Sequence, residues 1–321
     1  MSRLIASNWF LLALVVCYTS GHFGSQILQP LAEKAWLRSA VVMVVMWAMG
    51  VTLDADQIKR STQKPLASLL AIGSNVCVVP LCCASIMGVL AWLIGGSAGT
   101  EMAGGLFVAG LVPCTLASAS VWTRKAGGDD SISMICTVVT NLACLAVVPL
   151  GIQVVLAVQT RVSPLAQMEK LAWFVVLPLI VAQLMRRYGA ASWADRNKLR
   201  LSRVAQTGIL VMVVFGAVAS HQYTTGQGRG VSWSAVGWVI VAASAVHLTV
   251  MWGAIAVARL SGLSREEQIA VGISGSQKTL MVGLQIAIDC GVSVLPMMIY
   301  HGGQLILDTL VAKRWNRPRE R

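Results

Sequence analysis

Charge is scarce in this chain. Asp, Glu, Lys and Arg together make up 12% of its 321 residues, against ~25% in a soluble domain, which excludes an ordinary water-facing surface. Acids are scarcer still, with 13 against 25 basic residues. Aromatics account for only 6%, and no basic cluster is interleaved with them in a polar stretch. The net charge of +12 therefore does not mark a nucleic-acid surface. The sequence has no Walker A, G-x-S-x-G or H-E-x-x-H pattern, so nothing in it reads as an enzyme. Its eight cysteines (Cys17, Cys77, Cys82, Cys83, Cys114, Cys136, Cys144 and Cys290) lack C-x-x-C spacing with partner histidines. That argues against a zinc site or a disulfide framework and leaves them as small buried hydrophobes. What the chain has in abundance is apolar sequence, 56% of residues with mean hydropathy +0.71. It reads as an all-α polytopic membrane protein, one domain over 1–321.

A bilayer core of ~30 Å needs about 20 helical residues. Ten runs qualify, roughly 4–23, 36–53, 66–94, 102–123, 131–158, 165–187, 201–220, 232–258, 267–288 and 293–312. The first follows Arg3 like a signal peptide but has no A-x-A site after it, so it is read as a span. An even count puts both termini on one side. Of the 25 basic residues, 19 then fall on that side, 5 on the other and Lys278 inside the membrane. The positive-inside bias places both termini in the cytoplasm.

Lys278 is the tenth residue of Ile269–Ile288, a run of 20 that contains no acid. A charge at that depth costs at least ~2.5–3.5 kcal/mol. Its surroundings, Gly272-Ile273-Ser274-Gly275-Ser276-Gln277-Lys278-Thr279, weaken a helix and offer hydroxyls and free backbone groups. The fourth run is interrupted by Pro113, followed by Ser118 and Ser120. These are the fourth run of each half, and five runs per half makes the halves inverted, about 1–160 and 161–321. Matched interruptions in inverted halves point to a carrier's binding site near the midplane. Other candidates are Ser133 and Thr137, i and i+4 in the fifth run, and Asn75 five residues before Pro80. Asp289 and Asp308 are expected near span ends, in water. Glu33, Glu101 and Glu169 are expected in outer loops, and His247 and His301 as hydrogen-bonded packing residues, with a proton relay as the alternative.

The ten runs, Val112-Pro113-Cys114-Thr115-Leu116-Ala117-Ser118, Thr123–Asp129 and Ser274-Gly275-Ser276-Gln277-Lys278-Thr279-Leu280 resemble the bile acid:sodium symporter family. The likeness is to its divergent branch with a serine-x-lysine-serine/threonine-leucine motif in the ninth span. The resemblance implies two inverted five-helix repeats, core and panel domains, and broken helices four and nine crossing in the core. It implies alternating-access transport of a small solute in the plasma (inner) membrane, with no cofactor and with sodium or a proton as coupling ion; the half-helix N-termini and Lys278 favour an organic anion as that solute. It also implies substrate or ion contacts at Asn75, Pro113, Ser118, Ser133, Thr137, Ser274, Ser276, Gln277, Lys278 and Thr279. Within that set Asn75, Ser118, Ser133, Thr137 and Gln277 are sodium-site-like. The family's ninth-span glutamate is absent, and a lysine there disfavours sodium; Lys278 would supply in fixed form the charge a sodium ion brings, carry the coupling proton, or bind an anionic substrate. Pro113-Cys114-Thr115 with Val121-Trp122 also resembles arsenite efflux carriers, in which Cys114 would bind the metalloid. Some members of the branch are linked to calcium homeostasis, so a regulatory role is a further alternative.

Overall fold

The structure, a computed structural model, describes residues 2–54, 63–156, 163–226 and 232–315, and all side chains within them except those of 2–8, 11 and 222–226. The expected loop cations Lys59, Arg60, Arg161, Arg229, Arg317, Arg319 and Arg321 lie outside the described residues, as does the side chain of Arg3. The described chain is helical. In order the helices are α1 (Ser2–Phe23), α2 (Ser25–Ala32), α3 (Ala35–Gly50), α4 (Pro65–Ile94), α5 (Gly96–Leu111), α6 (Ser118–Lys125) and α7 (Asp130–Val155). They continue with α8 (Pro164–Arg196), α9 (Lys198–Gly226), α10 (Trp233–Leu260), α11 (Arg265–Ser276), α12 (Leu280–Cys290) and α13 (Leu295–Trp315).

Five of these, α4, α7, α8, α9 and α10, are long and apolar enough to cross a membrane. The long third and fifth apolar runs are each a single helix, as their sequence predicts. The fourth and ninth are not. They form helices of 16 and 8 residues and of 12 and 11 residues, separated by short extended links. None of these pieces alone reaches the ~20 residues of a bilayer. Two expectations about loops are corrected. The segment after the first run holds an extra helix, α2. Glu101 and Glu169 lie inside α5 and α8, because α5 already begins at Gly96, ahead of the expected 102, and α8 is helical over the whole start of the run 165–187.

Local chemistry fixes the helix starts nearest the site. Asp129 caps α7, its carboxylate accepting from Ser131 N. Ser264 and Glu267 form a capping box on α11. Gly95 and Gly96 turn the chain between α4 and α5 at φ 77° and 61°, a region that excludes most side chains.

The helices pack in two sets. In one, α1, α2 and α3 pack on α9, and α3 packs on α8. In the other, α4 packs on α5, α7, α10 and α11, while α13 packs on α5, α6 and α10. The sets meet where α9 faces α12 and α8 faces α7. A close approach beside the site is at Gly275, where a Cβ would stand 2.9 Å from that of Ser74. Only glycine lets α11 lie this close to α4.

Candidate functional site

The two links cross in the middle of the second set. Val112 leaves α5 in extended backbone, and Pro113, with no N–H, cannot continue the helix. Gln277 and Thr279 are likewise extended, at ψ 140° and 133°. The links are joined directly by Thr279 N donating to Pro113 O at 2.9 Å. The Gln304 amide grips the Lys278 backbone from α13, its Oε1 accepting from Lys278 N at 2.8 Å and its Nε2 donating to Lys278 O at 2.9 Å. Several backbone groups freed by the interruptions are thus paired, as burial demands.

Lys278 is fully buried, and its ammonium donates to three oxygens: Asn75 O at 2.6 Å, Val112 O at 3.0 Å and Asn75 Oδ1 at 3.1 Å. Each acceptor has a structural origin. Helix α4 widens into a π turn at Ser74–Val78, where Val79 N bonds Ser74 O five residues back. The next nitrogen belongs to Pro80 and carries no hydrogen, so Asn75 O is left for Lys278. Val112 O is free because α5 stops at Leu111. The Asn75 amide also closes the end of α11, donating to Ser274 O at 3.1 Å and Gln277 O at 2.8 Å.

Gln277 is the second hub. Its Oε1 accepts from Thr115 Oγ1 at 2.7 Å and lies 3.0 Å from the Ser118 hydroxyl, which also stands 2.7 Å from Thr115 Oγ1. Its Nε2 donates to Asp308 Oδ2 at 2.5 Å. Asp308 corrects the sequence reading: it is fully buried, beside the link, not in water. Its other oxygen, Oδ1, is 3.0 Å from His247 Nε2, and His247 Nδ1 is 3.3 Å from Ser276 O. Both ring nitrogens therefore face oxygens, which fixes the ring between α11 and α13. Lys278 is the basic side chain at the crossing and Asp308 the acidic one.

Of the residues expected at the site, Asn75, Pro113, Ser118, Gln277, Lys278 and Thr279 are brought together. Thr137 joins them indirectly, donating to Thr115 O at 3.0 Å. Ser133 stands apart, 2.7 Å from Thr123 Oγ1. Ser274 and Ser276 turn their hydroxyls back on their own helix, to Ala270 O and Gly272 O. Cys114 is buried against α7, with Thr137 Oγ1 3.8 Å from its sulfur. The residues missed from sequence are Thr115, Asp308 and Gln304. The last two share a helical face with His301 at i, i+3 and i+7, a polar stripe in an apolar helix that marks them.

Beside the crossing lies a cavity of ≈ 260 Å³ between the two helix sets. Thr115, Ser118, Trp122, Thr279 and His301 face it from one set, and Phe10, Met49, Thr52, Ser202 and Gln206 from the other. Among the described residues no Asp, Glu, Lys or Arg lines it. Lys278 does not reach it, being enclosed by its three acceptors.

An all-helical chain with bilayer-length apolar helices and a cavity against a buried, charged crossing is built as a membrane carrier. The family is that of the SBF-like CPA transporters, whose profile matches residues 8–317, and the chain belongs to it. It is therefore a multi-pass membrane transporter and not an enzyme. It is 27% identical to "Putative symporter YfeH" of Escherichia coli (strain K12), over 88% of this chain and 85% of that protein. It is 25% identical to "Uncharacterized protein PA2026" of Pseudomonas aeruginosa, over 99% and 95%. It is 20% identical to "Sodium/bile acid cotransporter 7" of Danio rerio, over 99% and 97%.

Proposed function

We propose that this carrier moves a small organic anion by alternating access, with the ammonium of Lys278 standing where a sodium ion would be held. The single observation that carries this reading is the cage of Asn75 O, Asn75 Oδ1 and Val112 O around a fully buried Lys278. Carbonyl and amide oxygens converging on one point suit a cation. Here the cation is covalently attached, and it joins α4 to both links without an ion. On this reading Gln277, Ser118 and Asn75 organise the crossing rather than ligate a metal.

The anionic character of the solute follows from charge. The crossing holds the Lys278 ammonium, and the first residues of α6 and α12, Ser118 and Leu280, line the cavity, which sets the positive ends of both helices at its wall. The wider architecture of this reading is ten spans in two inverted repeats, about 1–160 and 161–321. The helices around α9 form the panel, and the set holding the crossed, broken helices forms the core. The basic ends face the cytoplasm of the plasma (inner) membrane.

The test is thermal melting of the purified protein against a panel of carboxylates, sulfonates and phosphates, in sodium or potassium and across pH. Ligand stabilisation grows as RT ln(1 + [L]/Kd). One class of anion should raise the melting temperature of the wild type equally in both salts. Lys278→Ala should melt lower and gain stability from sodium but not potassium. A wild type stabilised by sodium alone, or by no anion, overturns the reading.

A further inference from the structure

We propose that Arg259 and Arg265, beside the paired indoles of Trp252 and Trp315, form a site for the headgroup phosphate of an anionic phospholipid. The site is separate from the crossing. It depends on the chain lying in a bilayer but not on which solute is moved.

A hollow of ≈ 360 Å³ lies where α10 ends, α11 begins and α13 ends. Helical spacing builds two of its walls. Trp252, Ile255 and Arg259 share a face of α10 at i, i+3 and i+7, and Arg265 and Gln268 share one of α11 at i and i+3. The third wall is Trp315, whose ring meets Trp252 edge to face with centroids 5.4 Å apart. Trp315 ends α13, so its carbonyl lacks a helical partner, and Arg265 Nη2 donates to it at 3.2 Å. That bond anchors the Arg265 guanidinium at the hollow and uses one of its five N–H donors. The Arg259 guanidinium has no polar partner among the described residues.

Two guanidinium groups on one hollow suit an anion, and the nearby acids are engaged elsewhere. Among the described residues no Asp or Glu lines the hollow. Glu267 accepts from Ser264 N at 2.9 Å and lies 3.7 Å from Lys64, and Glu266 also acts on Lys64. Guanidinium offers phosphate two parallel N–H donors at once. The surroundings make that phosphate a lipid's. Trp252 is 47% exposed and Leu260 88%, on a helix of bilayer length. From Trp252 to Arg259 the helix rises about 10 Å. The wall thus grades from indoles, which favour interfacial depth, to guanidiniums at headgroup level. A soluble phosphate would use only the arginines, whereas a phospholipid also covers the exposed apolar face beside them. Basic hollows between membrane helices hold anionic headgroups in this way.

The experiment is native mass spectrometry of the full-length protein in neutral detergent, with no transport solute added. Three probes are compared: phosphatidylglycerol, phosphatidylcholine with the same acyl chains, and glycerol phosphate. The wild type should retain phosphatidylglycerol at concentrations where the other two leave it bare. Arg259→Gln and Arg265→Gln should each weaken that retention about tenfold. Arg314→Gln removes the same charge from an exposed position on α13 outside the hollow, and should bind as the wild type does. Phosphatidylglycerol with brominated chains should also quench wild-type tryptophan fluorescence more than that of Trp252→Phe. Equal retention of the two lipids overturns the proposal, as does an equal loss in Arg314→Gln. Glycerol phosphate bound as tightly as the lipid, or quenching unchanged in Trp252→Phe, overturns it as well.

Discussion

At the scale of single residues, Asn75 carries more of the site than Lys278. Its side chain and carbonyl hold the ammonium, and its amide nitrogen closes α11 by two further bonds. Removing the amide leaves Ser274 O and Gln277 O without that donor and deprives Lys278 of one acceptor. Each unsatisfied buried group costs ~1–3 kcal/mol. Asn75→Ala should therefore lose about 3 kcal/mol in chemical denaturation, whereas Ser133→Ala, outside the crossing, should lose under about 1.5 kcal/mol. Equal losses would show that the crossing is not held by Asn75. Much of this site was legible beforehand. A lysine at the tenth position of an apolar run, flanked by glycine and serine, has few structural uses. Asp308 was not legible, because the groups that bury it, Gln277 and His247, lie 31 and 61 residues away in sequence. A carboxylate seven residues before a basic helix end reads as solvated until its partners are seen.

At the scale of elements, what sets the links in place is how the helices around them begin. Asp129 caps α7 and also receives Lys64 Nζ at 2.7 Å, while Lys64 lies 3.7 Å from Glu267 at the start of α11. One lysine between α4 and the starts of two helices aligns three of the elements that carry the crossing. Burial works against ionising Asp129, but hydrogen bonds from Lys64 and Ser131 outweigh it and hold the carboxyl below its usual value. A depressed carboxyl contributes stability above its unfolded value of ~3.9, which is lost as pH falls through the folded value. The wild type should therefore lose melting temperature below about pH 4, and Asp129→Asn, which keeps a capping side chain, should lose less over the same interval. Parallel acid curves would remove this carboxylate from the account. The starts were partly readable, since Pro65, Pro164 and the Ser264–Glu267 box follow known rules. The π turn of α4 was not, because only its contact with Gly275 and Lys278 shows what the widened turn is for.

At the scale of the whole molecule, the two helix sets must move against each other if the cavity is to serve both sides. The contacts that join them across the cavity are mostly apolar or hydroxyl and tolerate sliding. At the other end of the molecule they are charged. Asp289 on α12 lies 3.4 Å from Lys170 on α8 and 3.9 Å from Arg38 on α3, with Gln285 Nε2 also on its carboxylate at 3.0 Å. Arg38 in turn donates to Ala32 O at 2.5 Å at the end of α2. Arg38 and Asp289 are only 13% and 12% exposed, so salt screens this pair less than a surface one. On the alternating-access reading such a cluster closes one end of the molecule and has to part when that end opens. Asp289→Asn keeps the shape and removes the charge that draws both cations together. In deuterium exchange the variant should take up label faster in α2, α3 and the end of α12, because local opening there costs less. Peptides covering Asn75, Val112 and Lys278 should exchange at the wild-type rate, since the crossing lies wholly within the other set. If uptake rises in both places, Asp289 supports the fold as a whole. If it rises in neither, the two sets are held together by the apolar contacts of α9 with α12 and not by charge.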